Sequence, residues 1–141
     1  MNDTAPSQQY AALPWRLSHG VEILLITSRE TRRWVIPKGW PVEGLVAVDC
    51  AALEAFEEAG VRGVVGEAPF GFFDYDKRLR DGGVKTCHVN VFALEVTELL
   101  EIWPEQLERS RRWFSAEEAA LAVQEEGLAA LIRIFAAQKA R

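Results

Sequence analysis

Between Val46 and Gly60 the apolar residues recur at helical spacing, and three glutamates share a different face. Val48, Ala52, Ala55, Phe56 and Ala59 form the apolar stripe, which predicts a helix over 46–59 that Gly60 closes. Such a helix must lay its stripe on another element, so the chain needs a partner layer. Glu54, Glu57 and Glu58 stand at i, i+3 and i+4, within an arc of roughly 100° on an α-helix. Three carboxylates side by side repel. A trio of this kind is ordinarily a solvated face; where it is functional, a hard divalent cation is its natural partner, because Mg²⁺ takes oxygen ligands and bridges carboxylates to phosphates.

The partner layer is legible as strands. The run 21–27 (Val-Glu-Ile-Leu-Leu-Ile-Thr) is β-branched and almost continuously apolar, the pattern of a central strand buried on both faces. Short strands are predicted over 12–18 and 34–36, the latter stopped by Pro37. Residues 38–44 read as a loop, 61–75 as one or two strands, Gly82-Gly83 as a hairpin turn and 84–96 as a long strand. Trp113 and Phe114 make a last short strand. Ser115 with Glu118 fits a capping box that starts a helix near Ala116, and Leu128, Leu131, Ile132 and Phe135 mark a further amphipathic helix. Strands, helix, strands, then helices imply an α+β fold with helices covering the sheet. The reading is one domain over 10–141, preceded by a flexible tail over 1–9.

Composition narrows the function. Of 141 residues, 49% are apolar and 26% charged, which excludes a disordered chain. The net charge of −5 argues against nucleic acid as the partner. No apolar run approaches a membrane span, and there is no secretory signal core. Cys50 and Cys87 lack metal-type spacing and read as reduced thiols, so the expected location is cytoplasmic. His88, inside a strand pattern, reads as a satisfied core or edge residue.

The stretch 39–61 resembles the signature box of the Nudix hydrolases: Gly, five residues, Glu, seven residues, Arg-Glu, an apolar residue, any residue, Glu-Glu, any residue, Gly, apolar. Gly39 matches its opening, and Glu54, Ala55, Glu57, Glu58, Gly60 and Val61 match its close at the right spacing. The preceding Ile36-Pro37-Lys38 and following Trp40-Pro41 are similar to the diphosphoinositol polyphosphate and diadenosine polyphosphate hydrolase branch. Two positions depart: Leu45 stands where the family has its first glutamate, and Leu53 where it has arginine. Leucine cannot donate the charge-assisted bond by which an arginine would orient Glu57. Weaker metal holding or lower activity is expected, unless a cation elsewhere, such as Lys38, compensates.

The resemblance implies a Nudix-type α/β/α sandwich with a mixed sheet, and a metal-dependent pyrophosphohydrolase acting on a small polyphosphate. It implies that Glu54, Glu57 and Glu58, with the backbone carbonyl of Lys38, ligate Mg²⁺ or Mn²⁺, and that Gly39 and Gly60 are the structural glycines of the box. Glu105 and Glu108 are the later acids that offer a general base. Arg32, Arg33, Lys38, Lys77 and Arg112 are candidates for substrate phosphates, arginine forks suiting phosphate oxygens well. Many members dimerise, so a homodimer is the candidate assembly. Two other readings stay open: a Nudix-fold nucleotide-binding or regulatory module that has lost catalysis, and an RNA 5′-pyrophosphohydrolase.

Overall fold

The computed structural model describes residues 5–140. One eight-stranded sheet carries helices on both faces. Its strands are β1 (Ser7–Leu17), β2 (Val21–Thr27), β3 (Trp34–Val35), β4 (Lys38–Gly39), β5 (Val61–Val65), β6 (Gly71–Arg78), β7 (Val84–Leu99) and β8 (Arg111–Ser115). The helices are α1 (Ala47–Glu54), α2 (Ala116–Ala122) and α3 (Glu126–Lys139). The sheet path is β3-β2-β1-β7-β5, with β4 on β1, β6 on β7 and β8 on β2. β1 and β7 run parallel and the other pairs antiparallel, so the sheet is mixed as expected. Among the described residues, no helix is long and apolar enough to cross a membrane.

The apolar run of β2 is explained by its two faces. Ile23 and Leu25 point to the layer with α2 and α3, while Leu24 and Ile26 point to α1. β7 divides likewise, Val89 and Val91 to one side, Phe92 and Leu94 to the other. The capping box holds: Glu118 N–H donates to Ser115 Oγ at 3.1 Å, and Ser115 N–H donates to the Glu118 carboxylate at 3.1 Å.

Four sequence expectations are corrected. Residues 7–9, expected as tail, belong to β1 and pair in parallel with Cys87 to Val89; residues 1–4 of the expected tail lie outside the described residues. Gln9 is buried and accepts a hydrogen bond from the Tyr75 hydroxyl at 2.9 Å. Lys38 and Gly39 are a two-residue strand rather than loop. The helix over 46–59 is α-helical only to Glu54, and Ala55–Ala59 form a π-helical turn. The buried row is also rotated: Ala51, Ala55 and Ala59 are fully buried, whereas Ala52 and Phe56 are only partly so. Three alanines four apart let the helix backbone sit close to Ala12 and Phe92 of the sheet. The wider turn then brings Glu58 inward beside Ala59, instead of leaving it opposite the core.

Gly60 ends this turn in the left-handed region, at φ 66°. A Cβ there would also lie 2.5 Å from Trp103 Cδ2 and 2.7 Å from Arg111 Nη1. Gly60→Ala therefore meets both a backbone penalty and a steric one, and is expected to lower unfolding free energy by roughly 2–4 kcal/mol. Urea denaturation measures this; an unchanged midpoint would show that the turn does not hold this conformation in solution.

Candidate functional site

Two of the three box glutamates, Glu54 and Glu58, line a cleft of about 1730 Å³ at one end of the sheet. It exceeds the roughly 300–1,000 Å³ of an ordinary small-ligand pocket, so it has room for an extended ligand. Its walls are β4, the β2–β3 turn with Arg29 and Arg33, the segment carrying Glu105 and Arg109, the end of β6 with Lys77 and Arg78, and the start of α3.

Glu58 is 8% exposed. The backbone N–H of Lys38 donates to its Oε1 at 3.3 Å, and Arg109 Nη2 lies 3.7 Å from its Oε2. Burial pushes its carboxyl up to about 8; Arg109 and Lys38 oppose the rise, and Glu54 and Glu105 add to it. Burial and neighbouring Glu57 also raise the Glu54 carboxyl. A Cβ on Gly39 would overlap the Glu54 carboxylate, so the box glycine lets this acid pack on bare backbone. Burial lowers the Lys38 ammonium, against the pull of Glu58. Its Nζ stands 5.1 Å from the Tyr75 ring centroid.

The pairing of β4 with β1 orients Lys38. Ala12 N–H donates to Pro37 O, and Gly39 registers opposite Tyr10. Lys38 then occupies the alternate position of the antiparallel ladder, whose N–H and C=O both face away from β1. The N–H finds Glu58, and the carbonyl is turned to the same side.

The other sequence candidates divide. Arg33, Lys38 and Lys77 line the cleft with Glu54 and Glu58. Arg33 also bonds Gln124 and stands 3.7 Å from Glu125, tying the β2–β3 turn to the start of α3. Arg32 does not line the cleft and donates to Glu108 O at 3.1 Å and Ser110 Oγ at 3.3 Å. Arg112 also stands outside the cleft lining, 4.6 Å over the Phe114 ring in the α2–α3 layer, because alternation along β8 sends it to that face. Glu57 is half-buried and outside the cleft lining, though its backbone carbonyl accepts from Glu105 N–H at 3.0 Å. Glu105 lines the cleft and is 2.8 Å from Arg109 Nε. Glu108, at the rim, meets Arg29 at 3.3 Å. His88 is a satisfied residue within the sheet, between Gln8 of β1 and Asp74 of β6, its ring 2.7 Å from Asp74. Cys50 and Cys87 are free buried thiols.

Leu53 lies in a shallow apolar groove with Ala52, Phe56, Val61, Arg62, Gly63 and Leu94, and not in the acidic cleft. The cation that reaches Glu58 is Arg109, 8% exposed and far from the box in sequence. Trp103 and Arg111 also serve this end of the helix. Trp103 Nε1 donates to Glu58 O at 3.2 Å, and Arg111 donates to the carbonyls of Ala59, Gly60 and Leu100 at 3.0, 3.1 and 2.6 Å. In the sequence Arg109 and Arg111 stand out only as cations of the cluster before β8 that could meet phosphate, and Trp103 does not stand out.

Among the described residues, no three His, Cys, Asp or Glu side chains stand close enough together to hold an ion as they are. The donor chemistry nevertheless fits a divalent cation. Buried Glu58 and half-buried Glu54 crowd each other, the carboxyls of both are pushed up, and a backbone carbonyl is turned to the same side. An added positive charge relieves that strain where a proton otherwise would.

Comparison with known proteins agrees with this architecture. A family model described as the NUDIX domain matches residues 10–135. The chain is 37% identical to Nudix hydrolase 12, mitochondrial, of Arabidopsis thaliana over 102 residues, covering 70% of this chain and 50% of that protein. It is 35% identical to diphosphoinositol polyphosphate phosphohydrolase 3-alpha of Mus musculus over 112 residues, covering 77% and 64%. The chain thus spans about half the length of the plant relative. A C. elegans Ap4A hydrolase binary complex superposes with a TM-score of 0.71 at 21% identity, covering 95% of this chain and 98% of that one. A NUDIX hydrolase from Nitrosomonas europaea gives 0.74 at 18%, covering 96% and 91%. The family model spans most of the chain, and the chain belongs to the Nudix family.

Proposed function

We propose that this protein is a divalent-metal-dependent pyrophosphohydrolase that cleaves a phosphoanhydride bond in a small polyphosphate, a dinucleoside polyphosphate or a diphosphoinositol polyphosphate. The observation that carries this reading is the buried Glu58 carboxylate beside Glu54, in a cleft that also holds Lys77, Arg78 and Arg80. Relatives named as diphosphoinositol polyphosphate phosphohydrolases, and Ap4A hydrolases of like fold, support the substrate classes. Two buried free thiols support a reducing compartment, cytoplasmic in this reading.

Glu54, Glu58 and the Lys38 carbonyl would hold Mg²⁺ or Mn²⁺, with Glu57 joining from the outer side of the turn. When bound, such a cation would supply charge neutralisation at phosphate oxygens and a lowered pKa for a water. The protein's own groups do the rest. Lys38, Lys77 and Arg33 hold phosphate oxygens from the cleft walls, and their fixed positions contribute by orientation. Of the two later acids, Glu105 is joined to Glu58 through Arg109, whereas Glu108 is engaged by Arg29 at the rim. This favours Glu105 as the base that takes the proton from the attacking water.

Phosphate release from a panel of nucleoside and inositol pyrophosphates in Mg²⁺ or Mn²⁺ tests the proposal. Chelation is expected to stop it, and Glu58→Gln or Glu54→Gln to slow it by about 100-fold or more. Tight binding of these compounds without turnover would instead identify a binding module. A second expectation follows from protonation. The Glu58 carboxyl, about 8 in the fold against its ordinary value of 4.5, is raised. Its contribution to metal-free stability is therefore fully present below about pH 4.5 and is lost as pH rises through about 8. Without metal, Glu58→Gln should match the parent near pH 5 and melt higher near pH 9, by roughly 5 °C or more. Melting curves with equal pH dependence would refute the burial argument.

A further inference from the structure

We propose that Arg109 is the positioning residue of the metal site, standing in for the arginine that the box lacks at Leu53. The inference rests on the hydrolase reading above. A guanidinium placed at residue 53 would enter the apolar groove of Phe56, Val61 and Leu94, where Arg62 already stands with its guanidinium 5.0 Å over the Phe56 ring. The positive charge that serves the carboxylates arrives instead from the segment before β8.

Each arm of the Arg109 fork has an assignment. Nε donates to Glu105 Oε1 at 2.8 Å, Nη1 donates to Thr27 O at 3.1 Å, and Nη2 faces Glu58 Oε2 at 3.7 Å. Thr27 ends β2 and is itself buried. It also clasps the next residue, since Thr27 N–H donates to Ser110 O at 3.0 Å and Ser110 N–H donates to Thr27 Oγ1 at 2.9 Å. The guanidinium is thereby fastened to the buried end of an interior strand. From that anchor it spans the box acid Glu58 on one side and Glu105 on the other. A planar fork performs this bridging in a way that a single ammonium cannot. Glu58 is fixed from two directions, by the Lys38 N–H of β4 and by Arg109 from the β8 side. With the second support gone, mutual repulsion with Glu54 turns the carboxylate away from the ion.

Arg109→Gln and Arg109→Lys, measured beside Glu58→Gln, test the assignment. Manganese binding is read by electron paramagnetic resonance on the purified protein and turnover by phosphate release. Arg109→Gln is expected to lower Mn²⁺ affinity about tenfold and kcat by about 10–100-fold, with KM changed less than about threefold. Arg109→Lys, which keeps the charge but not the fork, should recover part of the affinity. Should Arg109→Gln fail to fold, Glu105→Gln cuts one arm while the Thr27 clasp stays, and an intermediate loss of Mn²⁺ affinity is expected. Parent-like Mn²⁺ affinity and kcat in folded Arg109→Gln would overturn the inference, as would parent-like Mn²⁺ affinity in Glu105→Gln where that variant is the test. If Glu58→Gln also kept full turnover, the hydrolase site itself would be wrong; if Glu58→Gln were inactive, only the role of Arg109 would fall.

Discussion

The structure turns on one buried carboxylate. Glu58 is the only acid among the described residues buried as deeply as the core, and an ionised carboxylate in such a place is costly unless paired and hydrogen-bonded. The fold brings three supports to it, one from β4 and two from the segment between β7 and β8. β4, two residues long, exists as a strand on β1, and that pairing turns the Lys38 N–H away from the ladder toward the acid. Arg109 comes from the segment just before β8. Trp103 holds the carbonyl of the same residue, so the backbone is fixed as well as the side chain. What remains unbalanced is charge: Glu54 crowds the site, Glu105 adds to it, and burial drives protonation upward. A site arranged in this way favours either a proton or a metal, and a polyphosphate cleft gives the metal an additional set of ligands.

The π turn explains how one helix serves both layers of the argument. Ala51, Ala55 and Ala59 press the helix onto β1 and β7. In a uniform α-helix, Glu58 would stand beside Glu54 and Glu57 on one outer face. Widening at Ala55–Ala59 separates them: Glu58 goes in and Glu57 stays half out. Gly60 then reverses the chain at positive φ and leaves room for Trp103. The helix end, the tryptophan and Arg111 on the terminal carbonyls form one unit, which keeps the widened turn from relaxing.

Much of this frame is written locally. The run 21–27 reads as a central strand because each face meets a different apolar layer. Ser115 with Glu118, and Gly60 after the glutamates, mark helix ends by side-chain and backbone chemistry within a few residues. Where the decisive partner is distant, the sequence is silent. Gln8 and Gln9 look like tail, yet they pair with His88 and Val89, and Tyr75 satisfies Gln9. Arg109 looks like one of several solvated arginines over 109–112, and alternation and loop geometry send it to Glu58 while sending Arg112 to the opposite layer. Three acids at helical spacing were visible; which of them enters the cleft was decided by a turn type that no spacing rule contains.

The vacancy at Leu53 and the acidic net charge invite the same mistake, which is to treat charge as a property of the sequence rather than of a place. At physiological salt an exposed charge is screened within about 8 Å, so the total of −5 says little about a cleft that sets Lys38, Lys77, Arg78, Arg80 and Arg109 among Glu54, Glu58, Asp74, Asp76 and Glu105. The matching position in the box says little for the same reason. Leu53 faces an apolar groove, whereas the charge that meets Glu58 is fastened to Thr27. A chain can therefore lose a signature arginine without losing the function of that arginine, provided that another cation reaches the acid from a rigid support. Distance to the carboxylate, and the stiffness of what holds the cation, decide the matter; alignment to a pattern does not.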